Sequence, residues 1–450
     1  MQNNNDNFKY LKIPDKIKYL FLYLVLGFLA LVTCVRIGSG ALPKWIEVGN
    51  IVPLEQRYEN NNQGKKYRAP VDALLRYSES THFLQKNNPF DVINGKIPQN
   101  EEYIVSTNGG TAPWAFVLGL PFAFPFLPFK AAIFSTLFLY VAITAIACAI
   151  LFKFGKKNLG SLVAAALLPI FYLVQKGFAM SLEVGNHSII IYAILIVLAF
   201  SDFFEKRPII GGIILGISMI KPHMMMLFFL PLLFRKQFLL IGVAVATVVA
   251  AWIFASFWVG VSALELLRQC EAQGAACIHR LDIYMGVVGS VGHYLGFTDV
   301  ESISIQLKIG IVLFGTIAAC IAYAMRNENK IYSYAIMATI TVMWTYGFTG
   351  LMNGIYILVT VPIFISLVKS DTVSFVKLVI FTGALIISLD CVGIIKALLF
   401  MERSISLFEA DIYRVFLFFA AVYTFYDAKK QSFYKHLQTV ETKPAKNTVV

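Results

Sequence analysis

Apolar runs of about 17–25 residues recur along this 450-residue chain, and short clusters of lysine and arginine separate them. A helix of that length crosses the hydrocarbon core of a bilayer. Charged residues make up only 14% of the chain, whereas about 25% is usual for a soluble protein. Since a transmembrane β-barrel would alternate polar and apolar residues, the continuous runs predict an all-α polytopic membrane protein.

The formal net charge of +12 comes from lysines and arginines that stand mainly at the ends of these runs. Basic residues favour the cytoplasmic ends of spans and anionic headgroups, so the charge indicates a lipid bilayer as partner and no nucleic acid. Sorted by this rule, the runs give about twelve spans. The first, Tyr19–Ile37, is predicted to be a retained signal anchor in the cell inner (plasma) membrane.

Polar segments divide the chain into three parts. A transmembrane domain, residues 19–430, follows a cytoplasmic N-terminus of residues 1–18 and precedes a cytoplasmic tail, residues 431–450, that is predicted to be disordered. Two large extracytoplasmic loops are predicted at residues 38–111 and 262–304, and the first is the longer.

The first of these loops contains the sequence PVDALLRYSESTHFL, residues 70–84. Pro70 suits the first position of a helix, and helical spacing places Asp72, Arg76 and Glu79 on one side. We therefore predict an amphipathic helix at the membrane surface. Asp72 is either a general base or a first-turn acid that favours the helix dipole and pairs with Arg76.

The apolar run Ile209–Phe234 is interrupted by Lys221, Pro222 and His223. The run is either one kinked span or two half-helices that meet at an outer tip. The basic residues on both sides favour the second, a hairpin that begins and ends in the cytoplasm. A charge inside an apolar run is expensive, so Lys221 is a candidate for binding phosphate, with His223 beside it. The alternatives are a lysine that snorkels to the headgroups and an ordinary core histidine.

Two shorter segments carry further predictions. Pro113–Pro128 contains four prolines, and the lysines beyond the next span favour a re-entrant segment over a full crossing. Gln175–Asn186 is predicted to be a short outer loop, in which Asn186 either binds substrate or caps the next helix.

The second outer loop contains Arg280, which could grip a phosphate through two parallel hydrogen bonds. Asp282 and His293 are candidates for substrate binding, although a solvated loop surface explains all three residues equally well. Cys270 and Cys277 share this loop, and sequence alone leaves a disulfide between them open.

Two stretches carry a resemblance to a known family. One is the V-D-x-x-x-x-Y frame of Val71–Tyr77, with Asn88–Asp91 (NPFD) after it. The other runs over about fifty residues from Gly185-Asn186 through Gly211–Gly216 to Ile220–Pro222 and beyond. Together they resemble glycosyltransferase family 87, polytopic enzymes of the GT-C class that include polyprenyl-phosphate-mannose-dependent α-mannosyltransferases.

The resemblance implies a GT-C-like fold and a sugar donor, mannose or another hexose, carried on a polyprenyl phosphate. It also implies a glycan or glycolipid acceptor and inverting transfer on the extracytoplasmic face, with Asp72 as base. Lys221, His223 and Arg280 would then contact the donor phosphate. The candidate substrate-binding residues are Arg76, Asn186, Asp282 and His293.

Several patterns typical of other chemistry are missing from the sequence. It has no Asp-x-Asp pair, no zinc-like His/Cys spacing and no Gly-Lys-Ser phosphate loop, so neither a metal nor another cofactor is expected.

Two alternative classes of membrane protein differ from this sequence pattern. A transporter or flippase would place charges inside its spans and show internal repeats. A polymerase or ligase of cell-envelope polysaccharide would usually have its large loop late in the chain, whereas here the first loop is longest.

Overall fold

A computed structural model describes residues 10–11, 15–38, 45, 70–97, 111–280, 286–345, 356–369, 373–374, 378–384 and 414–430. Within these ranges the protein is helical, apart from one antiparallel pair of two-residue strands, β1 (Tyr10–Leu11) and β2 (Val373–Ser374). The predicted all-α class is therefore confirmed.

The structure describes the following helices. In chain order they are α1 (Asp15–Arg36), α2 (Val71–Leu84), α3 (Pro89–Ile93), α4 (Pro113–Leu118), α5 (Leu120–Ala123), α6 (Phe129–Leu159), α7 (Leu162–Leu173), α8 (Lys176–Val184), α9 (Ser188–Phe200), α10 (Phe203–Lys206), α11 (Pro208–Ser218), α12 (Pro222–Met225), α13 (Phe229–Phe234), α14 (Phe238–Val259), α15 (Ala263–Arg280), α16 (Gly286–Tyr294), α17 (Val300–Ala324), α18 (Lys330–Thr345) and α19 (Tyr356–Lys369). A 3₁₀ turn at Met226–Phe228 joins α12 to α13. Residues 378–384 and 414–430 are also helical.

Among the described residues, α6, α14 and α17 are each long and apolar enough to cross a membrane. The pair α7 and α8, bent by 49°, meets the same criterion when it is taken as one broken span. Large apolar side chains on these helices face outward, with Phe138, Phe257 and Val312 exposed by 76%, 82% and 69%. Such surfaces suit contact with lipid, which confirms a membrane protein.

The proline-rich run before α6 is broken into α4, of six residues, and α5, of four. Six helical residues span only about 9 Å, well short of the hydrocarbon core of a bilayer. Phe124 ends α5 in the left-handed conformation, with φ of 49°. Neither helix is long enough to cross a bilayer, and the re-entrant placement stays a prediction.

The run from α11 to α13 forms the predicted hairpin. A Cβ on Gly212 would lie 2.8 Å from the carbonyl oxygen of Leu240, and one on Gly216 would lie 2.9 Å from that of Ala244. Helices α11 and α14 therefore run in the same direction and pack closely through small residues. Since only residues 235–237 separate α13 from α14, α13 has returned to the end from which α11 began. The two half-helices meet at a tip, residues 219–221.

Two predicted outer loops contain helices. Gln175–Asn186 contains α8, because Phe178, Ala179 and Leu182 supply an apolar side that is buried in the core. The predicted outer loop 262–304 contains α15, α16 and the first residues of α17. The positions of both loops relative to a membrane stay predictions.

Helix α2 has the predicted extent, beginning directly after Pro70. Its environment differs from that of a helix lying on a membrane surface, because protein covers both its apolar and its polar sides. Tyr77 packs edge-on against Phe129 and donates a hydrogen bond of 2.9 Å to the Leu127 carbonyl. On the polar side Glu79 is only 2% exposed. The polar side of α2 therefore faces the interior of the protein.

Candidate active site

A cavity of about 220 Å³ lies where α2, the α4–α5 segment, the junction of α8 with α9, and the hairpin tip approach one another. Its walls include five residues that the sequence singled out, from three separate parts of the chain: Asp72, Arg76, Asn186, Lys221 and His223. Glu79, Ser80, Thr111 and His187 add further polar groups. The fold thus gathers most of the predicted site residues around one space.

Helix α2 supplies the acidic wall of the cavity. Asp72 stands in its first turn, and one and two turns later Arg76 and Glu79 project to the same side. The Arg76 guanidinium donates hydrogen bonds to the Glu79 carboxylate and to the Thr111 hydroxyl. Burial raises the pKa of the Glu79 carboxyl, and this effect outweighs the opposing charge of Arg76. Arg76 is therefore paired with Glu79 rather than with Asp72, the partner considered from the sequence.

The junction of α8 with α9 brings Asn186 beside Asp72. Gly185 ends α8 in the left-handed conformation, with φ of +72°, which an L-amino acid with a side chain rarely adopts. A Cβ at this position would lie 2.5 Å from the Cβ of Ala73, so the glycine also allows the close approach of α2. Tyr140 donates a hydrogen bond of 3.1 Å to the Gly185 carbonyl.

A chain of hydrogen bonds joins Asp72 to Lys221 through two neutral side chains. Asn186 Nδ2 donates to Asp72 Oδ2. Asn186 Oδ1 accepts bonds of 2.8 Å from both the backbone N–H and the hydroxyl of Ser188. Lys221 Nζ donates to Ser188 Oγ at 2.9 Å. The N-cap position of α9 is His187, one residue later than predicted, but the Asn186 side chain bonds the first N–H of the helix and at the same time contacts the candidate base.

The hairpin tip is held in place by two tryptophans. Trp114 on α4 donates a hydrogen bond of 2.6 Å to the Met219 carbonyl, and its ring packs edge-on against Trp252 of α14. The half-helix α11 contains 11 residues, so the tip lies roughly 16 Å along the hairpin from its base. Lys221 therefore lies inside the protein, in contact with Ser188, rather than extending away from it.

Two residues of the cavity wall, His187 and Glu79, and the buried Ser188 beside it were missed as functional candidates. His187 is buried between the rings of Phe122 and Tyr140, with centroid separations of 6.0 and 6.5 Å. Its position next to Asn186 was a usable signal, as was the seven-residue spacing of Glu79 from Asp72. Ser188 gave no signal, because a serine at the start of an apolar run looks like an ordinary helix residue.

Of the remaining predicted site residues, the structure describes the side chain of His293, which is not at the cavity. His293 lies on α16 with its ring against Tyr294, and it is not among the described residues that line the cavity. Asp282 and the side chain of Arg280 lie outside the described residues, as does the side chain of Cys277. Cys270 is present as a free thiol.

The charge arrangement limits what the cavity can do chemically. Of the described residues only Asn186 donates a hydrogen bond to Asp72, which leaves Oδ1 able to accept a proton or a hydrogen bond. Lys221 offers a cation on the other side of Asn186 and Ser188. A carboxylate and an ammonium group at one polar cavity suit a reaction that removes a proton and stabilises a departing anion.

Apolar spans around such a cavity define a polytopic membrane protein with an enzyme-like site. The sequence model of glycosyltransferase family 87 matches residues 112–347, just over half of the chain. The protein therefore belongs to this family and is a membrane glycosyltransferase. The match includes Asn186, Lys221 and His223, whereas Asp72 precedes it. Comparison with curated proteins and with solved structures found no significant match.

Proposed function

We propose that the protein transfers a sugar, mannose or another hexose, from a polyprenyl-phosphate donor to a glycan or glycolipid acceptor, with inversion at the anomeric carbon. The observation that carries the proposal is that Asp72 and Lys221 line one cavity without pairing directly. Family membership supports sugar transfer, and a lipid-linked donor explains why the catalyst is built from membrane spans.

In the proposed reaction, the acceptor hydroxyl oxygen attacks the anomeric carbon on the side opposite the phosphate. A new C–O bond forms as the bond from that carbon to the phosphate oxygen breaks, and the electron pair leaves with the polyprenyl phosphate. Asp72 takes the hydroxyl proton through Oδ1, acting as general base. Lys221, with His223 beside it, stabilises the negative charge of the departing phosphate.

The other predicted residues have supporting roles in the proposal. Arg76, held by Glu79, presents the remainder of its guanidinium to a sugar hydroxyl, and Asn186 orients the base. Arg280 is proposed to bind phosphate, and Asp282 and His293 to bind substrate, by way of the second outer loop.

The proposed setting is a GT-C-like protein with about twelve spans and a large first loop in the cell inner (plasma) membrane. Arg207 precedes α11, and Arg235 and Lys236 follow α13, so basic residues flank the open end of the hairpin. The positive-inside rule assigns that end to the cytoplasm. The hairpin tip and the cavity then belong to the extracytoplasmic side, where a polyprenyl-phosphate donor enters from the bilayer beside Lys221.

We further propose that transfer needs no metal ion. The sequence has no Asp-x-Asp pair of the kind that holds a metal and a nucleotide diphosphate, and Lys221 supplies a cation at the cavity. A monophosphate leaving group carries less charge to be neutralised than a nucleotide diphosphate does.

The experiment is sugar transfer by purified protein in detergent. Polyprenyl-phosphate mannose, polyprenyl-phosphate glucose, GDP-mannose and UDP-glucose are each supplied with a membrane-lipid extract as acceptor. We expect transfer from a polyprenyl-phosphate sugar and none from the nucleotide sugars. Transfer from a nucleotide sugar alone would contradict the donor class. A second measurement uses the protein reconstituted in proteoliposomes. Movement of the lipid-linked sugar across their membrane without any sugar transfer would favour the transporter alternative.

A further inference from the structure

Ser188 connects the two halves of the proposed catalytic machinery. It begins α9, is fully buried and contacts groups from two different directions. Its oxygen accepts a hydrogen bond of 2.9 Å from Lys221 Nζ, and its hydroxyl lies 2.8 Å from Asn186 Oδ1. No role was assigned to this residue on the basis of the sequence or the family.

The direction of each hydrogen bond can be worked out from donor and acceptor chemistry. A lysine ammonium group has only donors, so Ser188 Oγ must accept from Lys221. The single hydroxyl proton is then available for a second partner. Asn186 Oδ1 at 2.8 Å is a stronger acceptor than the Met224 sulfur at 3.6 Å, so the hydroxyl donates to Asn186.

These bonds fix how the Asn186 amide faces Asp72. The amide oxygen accepts from the Ser188 backbone N–H and from its hydroxyl, so the NH₂ group is turned toward the Asp72 carboxylate. With the amide reversed, its NH₂ would face the backbone N–H of Ser188 and its oxygen would face a carboxylate oxygen. Both contacts would be repulsive.

We propose that Ser188 is a positioning residue that sets the base and the phosphate-binding cation at a fixed separation. It acts on Asp72 through Asn186 and on the donor through Lys221. This inference rests on the proposed function, since it assumes that Asp72 removes the acceptor proton and that Lys221 binds the donor phosphate.

The proposal predicts two separable effects of Ser188→Ala. Loss of the bond to Asn186 leaves only the backbone N–H to orient the amide, so kcat falls roughly tenfold, about what one hydrogen bond contributes. Loss of the bond to Lys221 lets the ammonium move, so KM for the donor rises by a similar factor. Ser188→Thr keeps a hydroxyl and is expected to restore both.

The experiment measures kcat and the donor KM for these variants with the polyprenyl-phosphate hexose that wild type turns over. Ser201→Ala is the matched control, because Ser201 ends the same helix and its hydroxyl bonds only locally, to the Val197 carbonyl and the Phe203 N–H. Thermal unfolding in detergent identifies any variant that fails to fold. Double variants then separate the two effects.

In an Asn186→Ala background, Ser188→Ala is expected to lower kcat no further while still raising the donor KM. In a Lys221→Met background it is expected to leave the donor KM unchanged. Multiplicative effects in both backgrounds would overturn the proposal, as would wild-type kinetics of Ser188→Ala itself. The proposed function is tested separately by Asp72→Asn. If that variant retains transfer, the proposed function fails, whatever the Ser188 variants show.

Discussion

Two groups of charged residues in this largely apolar protein are built in opposite ways. At the base of the hairpin and the adjoining helix ends, charges pair directly. Lys330 Nζ lies 2.8 Å from Glu205 Oε1, and Lys429 Nζ lies 2.8 Å from Glu328 Oε1. We call these four residues the basal cluster. The cavity also has one direct pair, Arg76 with Glu79, but its other two charges, Asp72 and Lys221, reach each other only through the neutral side chains of Asn186 and Ser188.

The difference separates charges that hold helices together from charges kept available for a ligand. A direct ion pair satisfies both partners and leaves little for a third group to bind. Keeping a carboxylate and an ammonium apart in a protected cavity is costly, so the arrangement is typical of a functional site. The following predictions use paired substitutions in the two groups to test this interpretation.

The largest difference in kcat is expected between two aspartate variants, one from each group. Asp72→Asn removes the proposed base and should lower kcat by about 10²- to 10⁴-fold, the usual contribution of general base catalysis. Asp202→Asn, next to the basal cluster and 65% exposed, should leave kcat within about twofold of wild type. Initial rates of sugar transfer decide between them. Equal losses in both variants would remove the distinction between the two groups.

The next largest effect is expected for Lys221, the lysine of the cavity. Lys221→Met removes the cation proposed to hold the donor phosphate, and KM for the donor should rise roughly 10- to 100-fold, as expected for a charge-assisted hydrogen bond. Donor titrations at saturating acceptor measure it. A donor KM equal to that of wild type would show that Lys221 has a structural role like that of Lys330.

A smaller effect is expected for Gly185→Ala, which alters neither charge. The added methyl group meets Ala73, the neighbour of Asp72, and the left-handed backbone adds strain of about 1–3 kcal/mol. We expect about a tenfold loss of kcat with a modest loss of thermal stability. Adding Ala73→Gly makes room for the methyl group and should recover part of the activity. No recovery would mean that backbone strain, rather than displacement of α2, causes the loss.

For the basal cluster we expect stability to change and activity to persist. Lys330→Met leaves Glu205 and the Ser201 carbonyl without their partner, which should destabilise the fold by about 1–2 kcal/mol. Thermal unfolding in detergent measures this change, and transfer assays well below the midpoint should give wild-type kcat. A specific loss of kcat in the folded variant would assign the basal cluster a part in catalysis.

No change in the transfer rate is expected when divalent ions are removed. If Lys221 supplies the cation for the departing phosphate, removal of divalent ions with EDTA should leave the transfer rate unchanged. A rate that falls with EDTA and returns with Mg²⁺ or Mn²⁺ would contradict this. It would indicate that the cavity carboxylates, Asp72 and Glu79, bind a metal ion, rather than acting as a free base and as the ion-pair partner of Arg76.

Much of the local structure could be predicted from the sequence because it depends on neighbours in the chain. Pro70 and the spacing from Asp72 to Glu79 identified α2, and Lys221-Pro222 between basic flanks identified the hairpin. The helix α8 was missed because Gln175 and Lys176 resemble the polar end of a span.

The candidate site was only partly predictable, because its contacts join distant parts of the chain. Asp72 and Asn186 are 114 residues apart, and nothing local to either shows that they meet. Their contact depends on Gly185, whose missing side chain admits Ala73. Ser188 became apparent only through the bonds that it makes to Asn186 and Lys221.

The most direct test of the central assignment is a single-turnover experiment with Asp72→Asn. The variant is loaded with a labelled polyprenyl-phosphate hexose, freed of excess donor and mixed with acceptor. If Asp72 is the base, the donor binds as it does to wild type and the label stays on the lipid. Transfer of the label at the wild-type rate would show that Asp72 is not the base, and would contradict the account.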